Sequence, residues 1–441
     1  MKKYSQFNSL LPYENQYFLY NSYQQKTIFL EEELKELLEA AIHEGIDNLK
    51  EVHPSFFDYL VESGFVVDSS FDEVQQVKDI SKKIDENTDF FLLTVNPTMN
   101  CNFKCWYCYE THIKDSRLET SVLDSIQSFI TKTINKENIK FFSLAFFGGE
   151  PLLYFEKNVK PLVEHLKREN DHSNKMIHVS FTTNGYLINQ DFIDYFNSVD
   201  IKPHLQITLD GYKDEHDKVR FVSKKKGSYD EIVRNIIFLA NNEFPVNVRI
   251  NFTDENLSNS SKIVEDFKEV SEEAKEKYLK FDFHRVWQNN QIDDLDKTLH
   301  EIREQFEIWG LRTNSNNSPN NIQNSCYADK RNSATVNYNG DLFKCTARDF
   351  LTENRGGYLS EEGDLIWEND YLERRMDAKF SNKPCLSCRI MPLCNGGCSQ
   401  HAMEYKEAND EYCIYQGDEN EKSKIVYTKV EEIINAELQE A

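Results

Sequence analysis

The run Cys101-Asn102-Phe103-Lys104-Cys105-Trp106-Tyr107-Cys108 constrains this chain more than any other part of it. A 4Fe–4S cluster held wholly by protein takes four thiolates. Three thiolates crowded into one short segment hold three irons and leave the fourth open to a small ligand. A zinc knuckle is the competing use of such a segment, but tetrahedral zinc needs a further His or Cys close by. His112 is the only nearby candidate.

With 441 residues the chain exceeds one ordinary domain, so two or three are expected. A formal net charge of −24 argues against a nucleic-acid grip, which needs clustered Lys and Arg. No apolar run approaches the roughly 18 residues of a membrane span. The start, Met1-Lys2-Lys3-Tyr4-Ser5-Gln6, has no apolar stretch behind its lysines, so it does not read as a signal peptide. Ten cysteines without an export signal point to metal binding in a reducing compartment, hence a cytoplasmic location, rather than to disulfides.

Residues 1–88 read as a small independent α+β module of winged-helix-like character. Tyr17-Phe18-Leu19-Tyr20 and Thr27-Ile28-Phe29-Leu30 are expected as strands. A helix over 31–42 carries Leu34, Leu37, Leu38 and Ala41 on one face, and a second starts at Pro54 and stops at Gly64. Phe65-Val66-Val67 returns as a strand, and the charged stretch 69–87 reads as a linker. Over 89–295, strand-like runs at 91–96, 141–147, 177–182, 205–209, 246–252 and 279–286 alternate with helical patterns such as 118–133 and 229–241. Six strands separated by helices predict an α/β fold, a partial (β/α)6 TIM-like barrel. Active sites of such barrels lie at the C-terminal ends of the strands, where the three cysteines follow the first strand. Beyond the barrel come a bridging helix and polar loop (296–325), a Cys-rich domain (326–415) and a C-terminal surface helix (416–441) with Ile425, Val426 and Val430 on one face.

Other motifs fall at strand ends. Gly148-Gly149-Glu150-Pro151 follows the second strand, where glycines let backbone approach a ligand with no Cβ in the way. Thr182-Thr183-Asn184-Gly185 ends the third strand; Thr208-Leu209-Asp210-Gly211 ends the fourth and is followed by His216 and Arg220. Seven further cysteines run Cys326-x13-Gly340-x4-Cys345, then Cys385-x2-Cys388-x5-Cys394-x3-Cys398, then Cys413. Structural zinc sites are the alternative use of Cys385-x2-Cys388.

These motifs together resemble the radical S-adenosylmethionine (SAM) enzymes with a C-terminal SPASM extension. The resemblance implies that Cys101, Cys105 and Cys108 hold a 4Fe–4S cluster whose open iron chelates SAM. It implies that Tyr107 touches the adenine, Gly148, Gly149 and Glu150 receive the amino group, Thr183 and Asn184 meet the ribose, and Thr208 and Asp210 help to hold SAM. Arg234 is expected to pair with the SAM carboxylate, since a guanidinium fork fits one. By position, Cys326, Cys345 and Cys398 are expected at one auxiliary iron–sulfur cluster, and Cys385, Cys388, Cys394 and Cys413 at a second, both of 4Fe–4S type. Seven thiolates leave one cluster short of a cysteine.

The N-terminal pattern resembles the PqqD-like module that adds a leader peptide to its sheet edge; a structural cap is the alternative. The family resemblance implies a peptide maturase that abstracts hydrogen from a ribosomal precursor peptide and installs a thioether or a C–C or C–O cross-link. An electron donor such as flavodoxin or ferredoxin is the other expected partner, and no general base is assigned. The sulfatase maturases of the family resemble a pattern with an extra cysteine in the first auxiliary group and an Asp beside its last one. Here no cysteine lies between Cys326 and Cys345, and the acid nearest Cys345 is Asp349. A non-catalytic iron–sulfur scaffold is the alternative of another class, and the intact triad opposes it.

Overall fold

The computed structural model describes residues 1–223, 226–288, 295–314 and 321–440. It divides into two compact units, one of residues 1–87, 316–331 and 372–441 and one of 88–315 and 332–371. This partition departs from the domains expected from sequence. The segment 332–371 joins the barrel, and the N-terminal module folds together with 372–441.

In the first unit, β1 (Lys2–Tyr4) pairs antiparallel with β5 (Val66–Asp68). Strands β2 (Asn8–Tyr13), β3 (Gln16–Asn21) and β4 (Lys26–Leu30) form an antiparallel sheet in the order β2-β3-β4. The alternation in β3 explains why the module is not independent. Leu19 packs with Leu30, Leu38 and Phe57 toward the local helices, while Phe18 and Tyr20 face Ile390, Leu393, Val426 and Val430. Val426 and Val430 are fully buried, so the terminal helix Glu419–Glu440 is a core element and not the surface helix expected.

The stretch 69–87 is also not a linker. Asp72 caps a helix, Glu73–Asp85, by accepting the Gln75 N–H at 2.9 Å. Its buried face is Glu73, Val77, Ser81 and Asp85, spaced four apart. Only one of these is apolar, so the periodicity of hydrophobic residues hides the helix.

The second unit is built on β6 (Phe90–Val95), β7 (Phe141–Phe146), β8 (Met176–Thr183), β9 (His204–Leu209), a short hairpin of β10 (Phe221–Ser223) and β11 (Lys226–Gly227), β12 (Val246–Phe252) and β13 (Leu279–Arg285). The six long strands are parallel and adjacent in the order β13-β12-β9-β8-β7-β6, as expected for a partial barrel. The sheet continues through β14 (Ser333–Val336), parallel to β6, then through antiparallel β15 (Asp341–Phe343), β16 (Gly357–Leu359) and β17 (Leu365–Trp367). Odd and even positions divide the work along each strand. Val246, Val248 and Ile250 enter the core under the helices, while Asn247, Arg249 and Asn251 lie on the other face. The helix Asp296–Ile308 matches the bridging helix; most of the polar loop expected after it lies outside the described residues.

Candidate functional site

All ten cysteines are free thiols. The triad follows β6 at its C-terminal end, and its thiols feel one another. Cys101 is pushed up to about 12 and Cys108 up to about 11, first by burial, then by the neighbouring Glu150 and Glu110 respectively, with Cys105 contributing to both. His112, the sequence candidate for a fourth zinc ligand, places Nε2 3.5 Å from Cys108 Sγ. Of the second set, Cys385, Cys388, Cys394 and Cys413 act on one another electrostatically in the first unit. Cys394 is pushed up to about 12, first by burial and then by Cys385, Cys388 and Cys413 in turn. Metal or iron bound here displaces protons from thiols that otherwise keep them. Cys326 and Cys398 belong to the first unit and Cys345 to the second.

Around the triad the glycine-rich turn is shaped by contact with the cluster loop. Gly148 and Gly149 have φ of +75° and +45°, and a Cβ on Gly149 would stand 2.2 Å from the Asn100 carbonyl oxygen. The Gly149 N–H donates to Glu110 Oε2 at 2.7 Å, and Glu150 N–H donates to Asn100 O at 2.9 Å. Burial and the nearby Asp349 raise Glu110 to about 7, against the lowering effect of that Gly149 bond.

Glu150 is completely buried. It accepts from Thr183 Oγ1 at 2.7 Å, Asn184 N–H at 2.8 Å and Leu152 N–H at 3.0 Å. Its carboxylate therefore fixes the turn after β8. Asn184 Nδ2 in turn donates to Asn102 Oδ1 at 2.7 Å, tying that turn to the cluster loop.

Tyr107 has its hydroxyl held three ways. It donates to Asp210 Oδ1 at 2.5 Å and accepts from Arg220 Nη2 at 2.8 Å and Asn251 Nδ2 at 3.0 Å. Asp210 also forms a buried ion pair with Arg220. His216 accepts the Asp210 N–H on Nδ1 at 3.2 Å, and its Nε2 lies 3.0 Å from Ser228 Oγ. Burial lowers His216 to about 4, so it is neutral there. Asp210 thus orders Tyr107 and Arg220, and Thr208 stands two residues below it on β9.

Arg234 is not brought to this site. Its side chain is 66% exposed and pairs with Glu231 one helical turn away. Sequence reading also passed over Arg249, Asn251, Asp282 and His284. Arg249 pairs in register with Thr208 on β9 and Asp282 on β13. Its Nε donates to Asn251 Oδ1 at 2.9 Å, and Asp282 is engaged by His284 Nε2 at 2.7 Å. Polar residues alternating with Val and Ile on a fully packed strand were the available signal. At the mouth, Tyr109 stacks on the exposed Trp287 with ring centroids 5.9 Å apart.

Comparison with known proteins agrees with this geometry. Residues 95–267 match the Radical SAM superfamily. A cysteine-type anaerobic sulfatase-maturating enzyme of Clostridium novyi is 25% identical over 337 residues, 68% of this chain and 86% of that protein. The structure of native anSMEcpe with AdoMet and the Cp18Cys peptide aligns with a TM-score of 0.54 at 19% identity, covering 73% of this chain and 97% of that one. Streptococcus suis SuiB bound to its precursor peptide SuiA aligns with a TM-score of 0.54 at 17% identity, covering 93% and 98%.

The barrel with its cysteine triad is therefore a radical SAM domain. The chain thus carries a radical SAM domain over residues 95–267 and is an enzyme. The superfamily uses a 4Fe–4S cluster and SAM, and the residues present suit both: Cys105 acts electrostatically on Cys101 and on Cys108, and the glycine turn has bare backbone where a Cβ would collide, although among the described residues no three His, Cys, Asp or Glu side chains already stand together as a metal-ligating group. The C-terminal cysteines suit auxiliary clusters. Among the described residues no helix is long and apolar enough to cross a membrane.

Proposed function

We propose that this enzyme matures a ribosomally made precursor peptide by installing a thioether or a C–C or C–O cross-link, with the leader bound by the N-terminal sheet. Bound SAM and the cluster supply the 5′-deoxyadenosyl radical. The chain holds that chemistry in place: Cys101, Cys105 and Cys108 grip the cluster, Gly148 and Gly149 offer bare backbone, and Glu150 locks Thr183 and Asn184. Asp210 with Arg220 and Asn251 fixes Tyr107. Cys385, Cys388, Cys394 and Cys413 hold one auxiliary cluster. A flavodoxin or ferredoxin supplies electrons.

The observation that carries this reading is the unit that houses the N-terminal sheet. Its strand β2 is an edge and contains Pro12, which an edge tolerates. A cavity of ≈ 360 Å³ beside it is lined by Leu10 and Leu11 of the strand and by Glu39, Ile42 and Arg389. An edge strand next to such a cavity suits an added peptide strand with a side chain in a pocket. The alignment with SuiB supports the reading too, because its 93% coverage must include most of residues 1–87.

A formylglycine-generating activity on sulfatases is the second reading, favoured by the similarity to the Clostridium novyi enzyme. Against it, Asp349 is tied to Thr111 through N–H at 2.8 Å and Oγ1 at 2.6 Å, which leaves it poorly placed as a free base. The test is to incubate the reconstituted, reduced enzyme with SAM and a short peptide encoded beside its gene. Release of 5′-deoxyadenosine with loss of two hydrogens from the peptide is expected, and neither with Cys105→Ala. Loss of sulfur from a cysteine with gain of an aldehyde would establish the second reading instead.

A further inference from the structure

A buried donor without an acceptor lies in the cysteine-rich part of the first unit. Asn382 clasps the two ends of the set Cys385, Cys388, Cys394 and Cys413. Its backbone carbonyl accepts the Cys385 N–H at 3.1 Å, and its side-chain Oδ1 accepts the N–H of Tyr412, the neighbour of Cys413, at 2.9 Å. A backbone N–H only donates, so this bond fixes which end of the amide is oxygen. Asn382 is 3% exposed, and among the described residues its Nδ2 has no hydrogen-bond partner. The surroundings are apolar, with Cys385 and Cys388 packed against a cluster of Phe7, Phe380 and Met391. An unpaired amide donor in such a place is costly, and folded proteins keep few of them. A cation lies beside the same cysteines. The Lys422 side chain is 9% exposed and donates Nζ to Glu419 Oε1 at 2.6 Å. Burial raises the Cys388 thiol, and the Ile390 N–H and the Lys422 ammonium act against that rise.

We propose that Asn382 donates its free amide N–H to a sulfur of the iron–sulfur cluster held by Cys385, Cys388, Cys394 and Cys413, and that together with Lys422 it raises the reduction potential of that cluster. Cluster sulfurs carry negative charge that neutral thiols lack, and a donor bonds a charged acceptor more strongly. Reduction adds one more negative charge, which the amide dipole and the ammonium stabilise. The apolar shell acts the other way, because it disfavours the more highly charged state. Asn382 and Lys422 offset that penalty and suit this cluster to accept an electron. The inference rests on the proposed ligation by these four cysteines and not on the cross-linking reading.

The test uses the full-length chain with Cys101, Cys105 and Cys108 all replaced by Ala, reconstituted anaerobically so that only auxiliary clusters load. Midpoint potentials are read from the electron paramagnetic resonance signal during a redox titration. Asn382→Asp keeps an acceptor for the Tyr412 N–H and removes the donor, whereas Asn382→Leu removes the donor without adding charge. Each is expected to make reduction of one cluster about tenfold less favourable, ~59 mV lower for a one-electron couple. Lys422→Met is expected to lower the same midpoint, and Lys422→Arg to leave it near its starting value. An unmoved midpoint in Asn382→Leu assigns the donor to a buried water and overturns the proposal, even where the new charge of Asn382→Asp lowers the potential. An unmoved midpoint in Lys422→Met overturns the part given to Lys422. Where Asn382→Leu fails to load iron, 15N labelling of asparagine side-chain amides decides. A 15N hyperfine coupling to the reduced cluster, present with Asn382 and absent from Asn382→Asp, supports the bond, and no coupling overturns it. Iron and sulfide analysis, with and without Cys385→Ala, judges the ligation separately. Zinc or no iron in the triad-free protein ends the cluster reading, whereas a full iron load with unmoved midpoints ends only the role of Asn382.

Discussion

The carboxylate of Glu150 accepts the backbone N–H of Asn184 at 2.8 Å across the ends of two adjacent strands, with no solvent exposure of its own. The bond joins the glycine-rich turn after β7 to the turn after β8, so the two turns that the radical SAM resemblance assigns to SAM share one support. Burial raises the Glu150 pKa, and its hydrogen bonds from Asn184, Thr183 and Leu152 act against that rise. Glu150→Gln replaces an acceptor with an amide N–H facing the Asn184 N–H. A loss of about 2 kcal/mol in unfolding free energy is expected, together with weaker SAM binding. Denaturant unfolding and equilibrium dialysis with SAM measure the two effects; retention of both at wild-type levels would reduce Glu150 to a bystander.

Gly149→Ala tests the close approach of the turn to the cluster loop. The added methyl would meet the Asn100 carbonyl at 2.2 Å, and φ of +45° is unfavourable for an L side chain. Strain of roughly 1–3 kcal/mol is expected, relieved by withdrawing the turn from the triad. Thermal unfolding reports the strain. The SAM-induced change in the electron paramagnetic resonance signal of the reduced cluster reports the withdrawal and is expected to vanish.

His216 gives the fold a pH dependence. Buried and neutral, it titrates near 4 in the folded chain against 6.5 when unfolded. Between those values the unfolded chain binds the extra proton, so stability falls as pH drops from about 6.5 toward 4, on the order of 1 kcal/mol per unit. His216→Asn removes this dependence. The difference in unfolding free energy between wild type and variant should therefore shrink on acidification from pH 7.5 to 5.5; a difference independent of pH would contradict the assignment.

Asp85 anchors a buried charge network in the first unit. Lys379 Nζ donates to it at 2.8 Å, Lys330 lies at 3.6 Å, Ser325 bonds its other oxygen, and its backbone carbonyl accepts the Arg331 N–H at 2.7 Å. Ser325 precedes Cys326, and Asp329, bonded by Ser399, reaches the residue after Cys398. Asp85→Asn leaves Lys379 short of charge compensation, with an expected loss of about 3 kcal/mol. Iron analysis should show fewer auxiliary irons per chain while the triad cluster keeps its spectroscopic signature. Full auxiliary iron loading would separate the network from the cysteines it borders.

The six barrel strands were legible because apolar runs of strand length alternate with amphipathic helices. Strand bounds shifted by a residue or so, as for β8, expected over 177–182 and found over Met176–Thr183. The helix Glu73–Asp85 was not legible because its buried stripe is mostly polar and finds partners far along the chain, Ser5 for Glu73 and Lys379 for Asp85. Arg234 was a reasonable choice by chemistry and failed by geometry. It lies on a helix face turned to solvent, whereas Arg249 lies on a strand face turned inward.

Sequence by itself determined the ligand chemistry: thiols at spacings that suit iron–sulfur clusters, glycines where backbone must be bare, and the strand count of the barrel. These are local properties, set by residue type and by periods of two and 3.6 residues. Tertiary structure alone decided which charges are spent on each other and which stay available. Arg220 closes on Asp210 while Arg249 does not, and the N-terminal sheet shares its core with the C-terminal helix. Those outcomes depend on the register of neighbouring strands and on packing between segments far apart in the chain, which no local pattern encodes.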